Sequence, residues 1–168
     1  MTLGCQETYE APKSATQAMA GRWYIELFAD PTQTGVPDPA EIILAYEDFG
    51  QYGLVTTNTA ANDADSVIIT DQFAPASSLR WPFKIVSAVN LGNLKFTNTT
   101  GPNIHSSYIG SGETVTVIEG EILKGAGHAK SGRAADSIRV VVEFSDDPGN
   151  HYIYSGHRDS GQPEDQYH

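Results

Sequence analysis

The sequence predicts an all-β, antiparallel domain, and three observations carry that prediction. Runs rich in β-branched and aromatic residues recur along the 168-residue chain, each followed by a cluster of Gly, Asn, Asp or Pro. Within the runs, apolar and polar residues alternate, as a strand with one buried face requires. Helices of the length a parallel crossover needs are missing from the pattern, so neighbouring strands must run in opposite directions.

In chain order the strand runs are "RWYIELFA", "EIILAYEDF", "YGLVTTNT", "DSVIITD", "WPFKIVSAV", "NLKFTNT", "ETVTVIEGEIL", "SIRVVVEFS" and "HYIYSG". The separators "DPTQTGVPDPA", "TAANDA", "FAPASS", "TGPNIHSSYIGSG", "KGAGHAKSGRAA" and "DDPGN" hold the residues that fix turns or interrupt ladders. Only "SATQAMAG" reads as a short helical turn. Alternation puts Trp23, Ile25 and Leu27 on one face against Tyr24, Glu26 and Phe28, and Trp81, Phe83 and Ile85 against Lys84 and Val86. In the eighth run Ile138, Val140, Val142 and Phe144 face inward, with Arg139, Val141 and Glu143 on the wet side. Such strands are satisfied by a closed barrel or by two packed sheets, and periodicity does not choose between them.

One domain accounts for the length: residues 1–19 read as a polar N-terminal tether and 20–168 as the β domain. Ten Lys and Arg against 21 Asp and Glu leave a formal charge of −11, which repels phosphate backbones and argues against nucleic acid as a partner. The acidity itself reads as a solubility feature. No apolar run approaches the roughly 18 residues of a membrane-spanning helix. Cys5 is the single cysteine, so an internal disulfide is excluded. Its setting, "TLGC", resembles the tail of a bacterial lipoprotein signal, which would make Cys5 the lipidation site and a lipid anchor the route to the membrane.

Candidate chemistries fail on spacing. There is no G-x-S-x-G elbow, and "GSG" at Gly110 to Gly112 reads as a turn. His151 and His157 share a face of the last strand but lie six residues apart, about 20 Å at 3.3 Å per residue, too far to share a zinc ion. His105 and His128 fall in loops, and the acidic turns "NDADS" and "SDDPGN" lack the oxygen pattern of a calcium loop. "HRD" at His157 to Asp159 has no phosphate loop to accompany it. No catalytic residue, metal ligand or cofactor is assigned.

Two sets of residues carry resemblances. Gly21, Arg22 and Trp23 form a Gly-x-Trp triplet after a short helical turn, which resembles the lipocalin and calycin entrance, where the tryptophan closes the barrel floor and a late arginine packs on its ring. Arg158 is placed to be that arginine, a contact worth about 0.5 to 2 kcal/mol. "NTAANDADSVIITD" (58–71), "GEILKGAGHAKSGRAADSIRVVVEFSDD" (120–147) and "YIYSGHRDSGQPED" (152–165) resemble the lipid-binding putative hydrolase family of small bacterial envelope lipoproteins. The resemblance implies a lipocalin-like, calycin-type barrel of about eight to ten strands, exported to the bacterial cell envelope and holding a small apolar ligand such as a fatty acid. Inward-facing Trp23, Ile25, Trp81, Phe83, Ile85 and Phe96 are the expected ligand contacts, with Trp23 and Arg158 as a structural clamp. Plain core packing is the competing account of each. Two other readings stand beside this one. The first is a non-enzymatic envelope module that binds a protein or glycan through exposed Tyr108, Tyr152 and Tyr154. The second is an esterase-type hydrolase, which the family label suggests and the residues do not.

Overall fold

In the computed structural model, residues 13–49, 53–71 and 82–167 are described. Ten strands follow one another: β1 (Gly21–Asp30), β2 (Ile42–Leu44), β3 (Leu54–Asn58), β4 (Ser66–Asp71), β5 (Lys84–Asn90), β6 (Lys95–Phe96), β7 (Thr99–Pro102), β8 (Thr114–His128), β9 (Ala134–Phe144) and β10 (His151–Arg158). Eight of them close a ring in the order β1-β3-β4-β5-β6-β8-β9-β10, and β10 returns to β1. All the pairings are antiparallel. The alternatives that periodicity left open are thus resolved in favour of a closed, lipocalin-like barrel. β2 and β7 lie off the ring, on β1 and β8 respectively.

The seam between β1 and β10 runs from Trp23 opposite Arg158 to Asp30 opposite His151, so it spans the barrel from one end to the other. Inward side chains from every wall strand merge into one buried cluster that includes Trp23, Ile25, Leu27, Val67, Ile85, Phe96, Val117 and Val140. A bulge in β8 between Val117 and Glu119 makes this possible. It changes the parity of the strand, so Val115 and Val117 point inward before it and Ile122 after it, while Ile118 faces out.

Three sequence expectations are corrected. "EIILAYEDF" is not one strand: Asp38 caps a 3-10 turn at Pro39–Glu41, β2 covers three residues, and a four-residue helix, α1 (Tyr46–Phe49), follows. "KGAGH" is not a loop: β8 continues through it to His128 after a second register shift, and the turn to β9 shrinks to 129–133. Val141 is not on a wet face: it is 1% exposed, because Phe28 and Ile153 join it in a second apolar cluster on the outside of the wall. The segment after β1 is tied down next to this cluster, with Arg139 Nη1 donating to Gly35 O at 2.5 Å and Gln33 Nε2 to Gly149 O at 2.9 Å.

Candidate functional site

One end of the barrel is shut. The turn that "SATQAMAG" predicts does form, with Met19 N–H donating to Thr16 O, and it carries Met19 under the ring, where it is fully buried. Trp23 is also fully buried; its Nε1 donates to Thr56 Oγ1 at 2.9 Å, and the Thr56 hydroxyl donates on to Met19 O at 2.5 Å. The Arg158 guanidinium lies over the indole, 4.6 Å from the ring centre, and Nη1 donates to Ala20 O at 2.8 Å. Its Nε sits 3.2 Å from Asp136 Oδ2 without the alignment of a hydrogen bond. Asp136 also accepts from Lys124 Nζ and from Gly125 N–H. Burial pushes the Asp136 carboxyl up, but these bonds and the two cations outweigh it and hold the group below the ordinary carboxylate range. A charged network therefore fixes the arginine that covers the tryptophan.

The opposite end is built differently. Phe83 packs edge-on against both Tyr154 (5.3 Å between ring centres) and Phe144 (5.8 Å), and Tyr152 lies 5.8 Å beyond Phe144. Tyr154 and Tyr152 come from β10, Phe144 ends β9, and Phe83 leads into β5, so four rings converge from three walls. Beneath them Asp71, which is 1% exposed, brings Oδ2 to 3.5 Å from the Tyr154 hydroxyl. A carboxylate inside an apolar barrel is costly unless polar groups meet it. The arrangement is a packed apolar interior with one buried carboxylate and hydroxyl brought together near the end opposite Trp23.

Of the expected ligand contacts, Trp23, Ile25, Phe83, Ile85 and Phe96 all belong to the single buried interior cluster. They divide by depth. Trp23 lies at the closed floor and Phe83 at the opposite end, with Ile85 two residues further on, in β5. Phe96 lies against the Gly120 backbone, where an added Cβ would come within 3.0 Å of its ring. Trp81 and Cys5 lie outside the described residues. Tyr154 is buried, so it cannot belong to the exposed aromatic patch of the interaction-module reading. Asp71 and Tyr154 were missed, although strand parity finds both. Val67, Ile69 and Asp71 alternate in β4, and Tyr154 shares parity with Arg158, which already points inward.

A second polar-aromatic group lies outside the wall. Tyr24, Tyr46, Tyr167 and His157 pack with ring centres 4.8 to 5.8 Å apart. His157 is 3% exposed and its Nε2 has no hydrogen-bond partner. Ser160 does not complete a hydrolytic array with it, because its hydroxyl donates to Asp165 at 2.6 Å. Among the described residues, no three His, Cys, Asp or Glu side chains converge as a metal site.

Burial lowers the His157 pKa against the opposing pull of Asp165 and Asp159. A base with a folded pKa below its unfolded value, about 6.5, leaves stability intact above that pH and removes it as the pH falls towards the folded pKa. Urea midpoints should therefore drop between pH 7 and pH 5. The wild type should lose more than His157→Phe, and this difference cancels the opposite contribution of Glu26, whose pKa is raised by burial and by Glu47. Equal slopes for the two proteins would show that His157 does not carry the effect.

A closed antiparallel barrel with a Trp–Arg floor and an apolar interior defines a lipocalin-like binding protein. A family model described as lipid-binding putative hydrolase matches residues 8–163, and the chain belongs to that family. No curated protein matches it.

Proposed function

We propose that this protein is an exported, Cys5-anchored carrier at the bacterial cell envelope, and that it holds one long-chain, lipid-like molecule with its head at the end of the barrel opposite Trp23. The observation that supports this reading is the contrast between the two ends. The floor is sealed by Met19, Trp23 and Arg158, while the mouth joins four aromatic rings to a buried carboxylate and hydroxyl. Trp23, Ile25 and Phe96 then form the bottom of the chamber, and Phe83 and Ile85 its sides near the mouth. Asp71 and the Tyr154 hydroxyl, buried side by side, are the polar groups nearest to where the head would sit.

The test is native mass spectrometry of protein purified without delipidation, followed by organic extraction and then titration of the apo protein with a long-chain alcohol and a fatty acid. A stoichiometric apolar adduct is expected. Phe83→Ala should weaken its rebinding about tenfold through lost ring contacts with the ligand's chain, Phe83 being already buried without ligand. Val86→Ser, on the outer face of the same strand where Val86 is 44% exposed, should leave binding unchanged. A clean apo mass that stays clean after soaking in mixed lipids would overturn the carrier reading.

A further inference from the structure

The connection from β7 to β8, residues 103–113, leaves the barrel at the mouth end, because β8 begins beside Phe144, with Val115 opposite it. It is anchored to the strand that bears Phe83. Asn103 Nδ2 donates to Pro82 O at 3.1 Å, Asn103 Oδ1 accepts from Lys84 N–H at 3.1 Å, and Ile104 N–H donates to Lys84 O at 2.8 Å. Beyond that anchor the loop presents apolar surface to solvent: Ile109 is 76% exposed and Ile104 39%, and with Tyr108 they border a groove of about 300 Å³.

The tip of this loop carries no formal charge. The chain carries −11 overall, yet "NIHSSYIGSG" (103–112) contains no Asp, Glu, Lys or Arg. Burial and Lys84 lower the His105 pKa, and burial, Asp146 and Glu113 raise that of the Tyr108 phenol. An uncharged segment tipped with isoleucine and tyrosine suits the water–hydrocarbon boundary of a bilayer, where an aromatic ring with a polar tip is favoured. Glu113 ends the loop and borders the groove, and Asp146 acts on Tyr108, so an anionic surface would be repelled more strongly than an electrically neutral one.

We infer that the 103–113 loop docks the barrel mouth on a zwitterionic lipid bilayer, which would be the source or destination of the ligand. The inference rests on the carrier reading above, and its occupant is the bilayer surface. It places the ligand's way in and out against the membrane, so a chain could pass between bilayer and barrel with little exposure to water.

Flotation with phosphatidylcholine vesicles tests this, using the full 168-residue chain produced without lipidation. Wild type should float with the vesicles, and adding phosphatidylglycerol should reduce the bound fraction. Ile109→Asp should cut binding at least tenfold, from the loss of one buried isoleucine and the gain of a charge. A parallel titration with a monomeric fluorescent fatty acid below its micelle concentration reads the chamber independently and should be the same for both proteins. If wild type fails to float, or if Ile109→Asp floats equally well, the docking surface is refuted. A failed titration with intact, Ile109-dependent flotation would instead refute the carrier reading and leave the docking surface standing.

Discussion

Trp23→Ala should lower the free energy of unfolding by about 3 to 5 kcal/mol, the cost of emptying a fully buried aromatic site whose neighbours cannot collapse. Three features prevent collapse here. Arg158 is held above the ring by Ala20 O and Asp136, so it cannot drop into the space. Thr56 is fixed by its bond to Met19 O and would lose the indole N–H that it accepts. The chain entering β1 passes close under the guanidinium, with a Cβ added at Gly21 coming 3.2 Å from Arg158 Nη1. Urea denaturation reads the effect as a lower midpoint at constant slope. Arg158→Leu should cost less, because it removes the cation–π contact, about 0.5 to 2 kcal/mol, but keeps the ring in place. A Trp23→Ala loss below about 1 kcal/mol would show that the floor does not depend on this residue. Because the Phe83 cluster lies at the other end, the variant should still bind an apolar ligand under conditions where it is folded.

The strand content was legible in the sequence because alternation is a local signal. Trp23, Ile25 and Leu27 point inward by the same parity that sends Tyr24 outward, and β9 and β10 read equally well. Closure was not local. It depends on the long pairing of Trp23 to Asp30 with His151 to Arg158, and only the Trp–Arg resemblance hinted at it. The misread elements have two causes. Val141 and Phe28 look solvent-facing by parity, but the segment after β1 folds back beside them, and no periodicity encodes a loop that returns to the wall. In β8 the glycines of "KGAGH" suggested a turn. The strand accepts them because the hairpin is irregular there, with a register shift between Leu123 and Gly127. The site was legible to a similar degree. The inward apolar residues could be found by counting, whereas the convergence of Phe83, Phe144 and Tyr154 arises from three strands far apart in the chain.

Gly156→Ala should disable the barrel more severely than its single added methyl suggests. Gly156 lies opposite Ile25 in the seam that joins the last strand to the first. A Cβ there would fall 1.9 Å from Tyr24 O and 2.8 Å from Ile25 Cα. Both obstacles are backbone, so no rotamer change relieves them and β1 must move away from β10. Overpacking of a core typically costs about 1 to 3 kcal/mol, and this site should lie at or above the upper end, because the displaced strand also anchors Trp23 under Arg158. A glycine inside a strand often marks such a close backbone approach. Gly149→Ala provides the comparison: its φ of +85° strains any side chain, but nothing lies within 4 Å of the added atom. It should cost about 1 kcal/mol and leave the fold intact. Gly156→Ala should instead yield little soluble protein, and what is recovered should show a sharply lower urea midpoint and rapid amide exchange along β1 and β10. Wild-type exchange in those two strands would mean that the seam can widen without opening, and closure would then not depend on the bare backbone at this position.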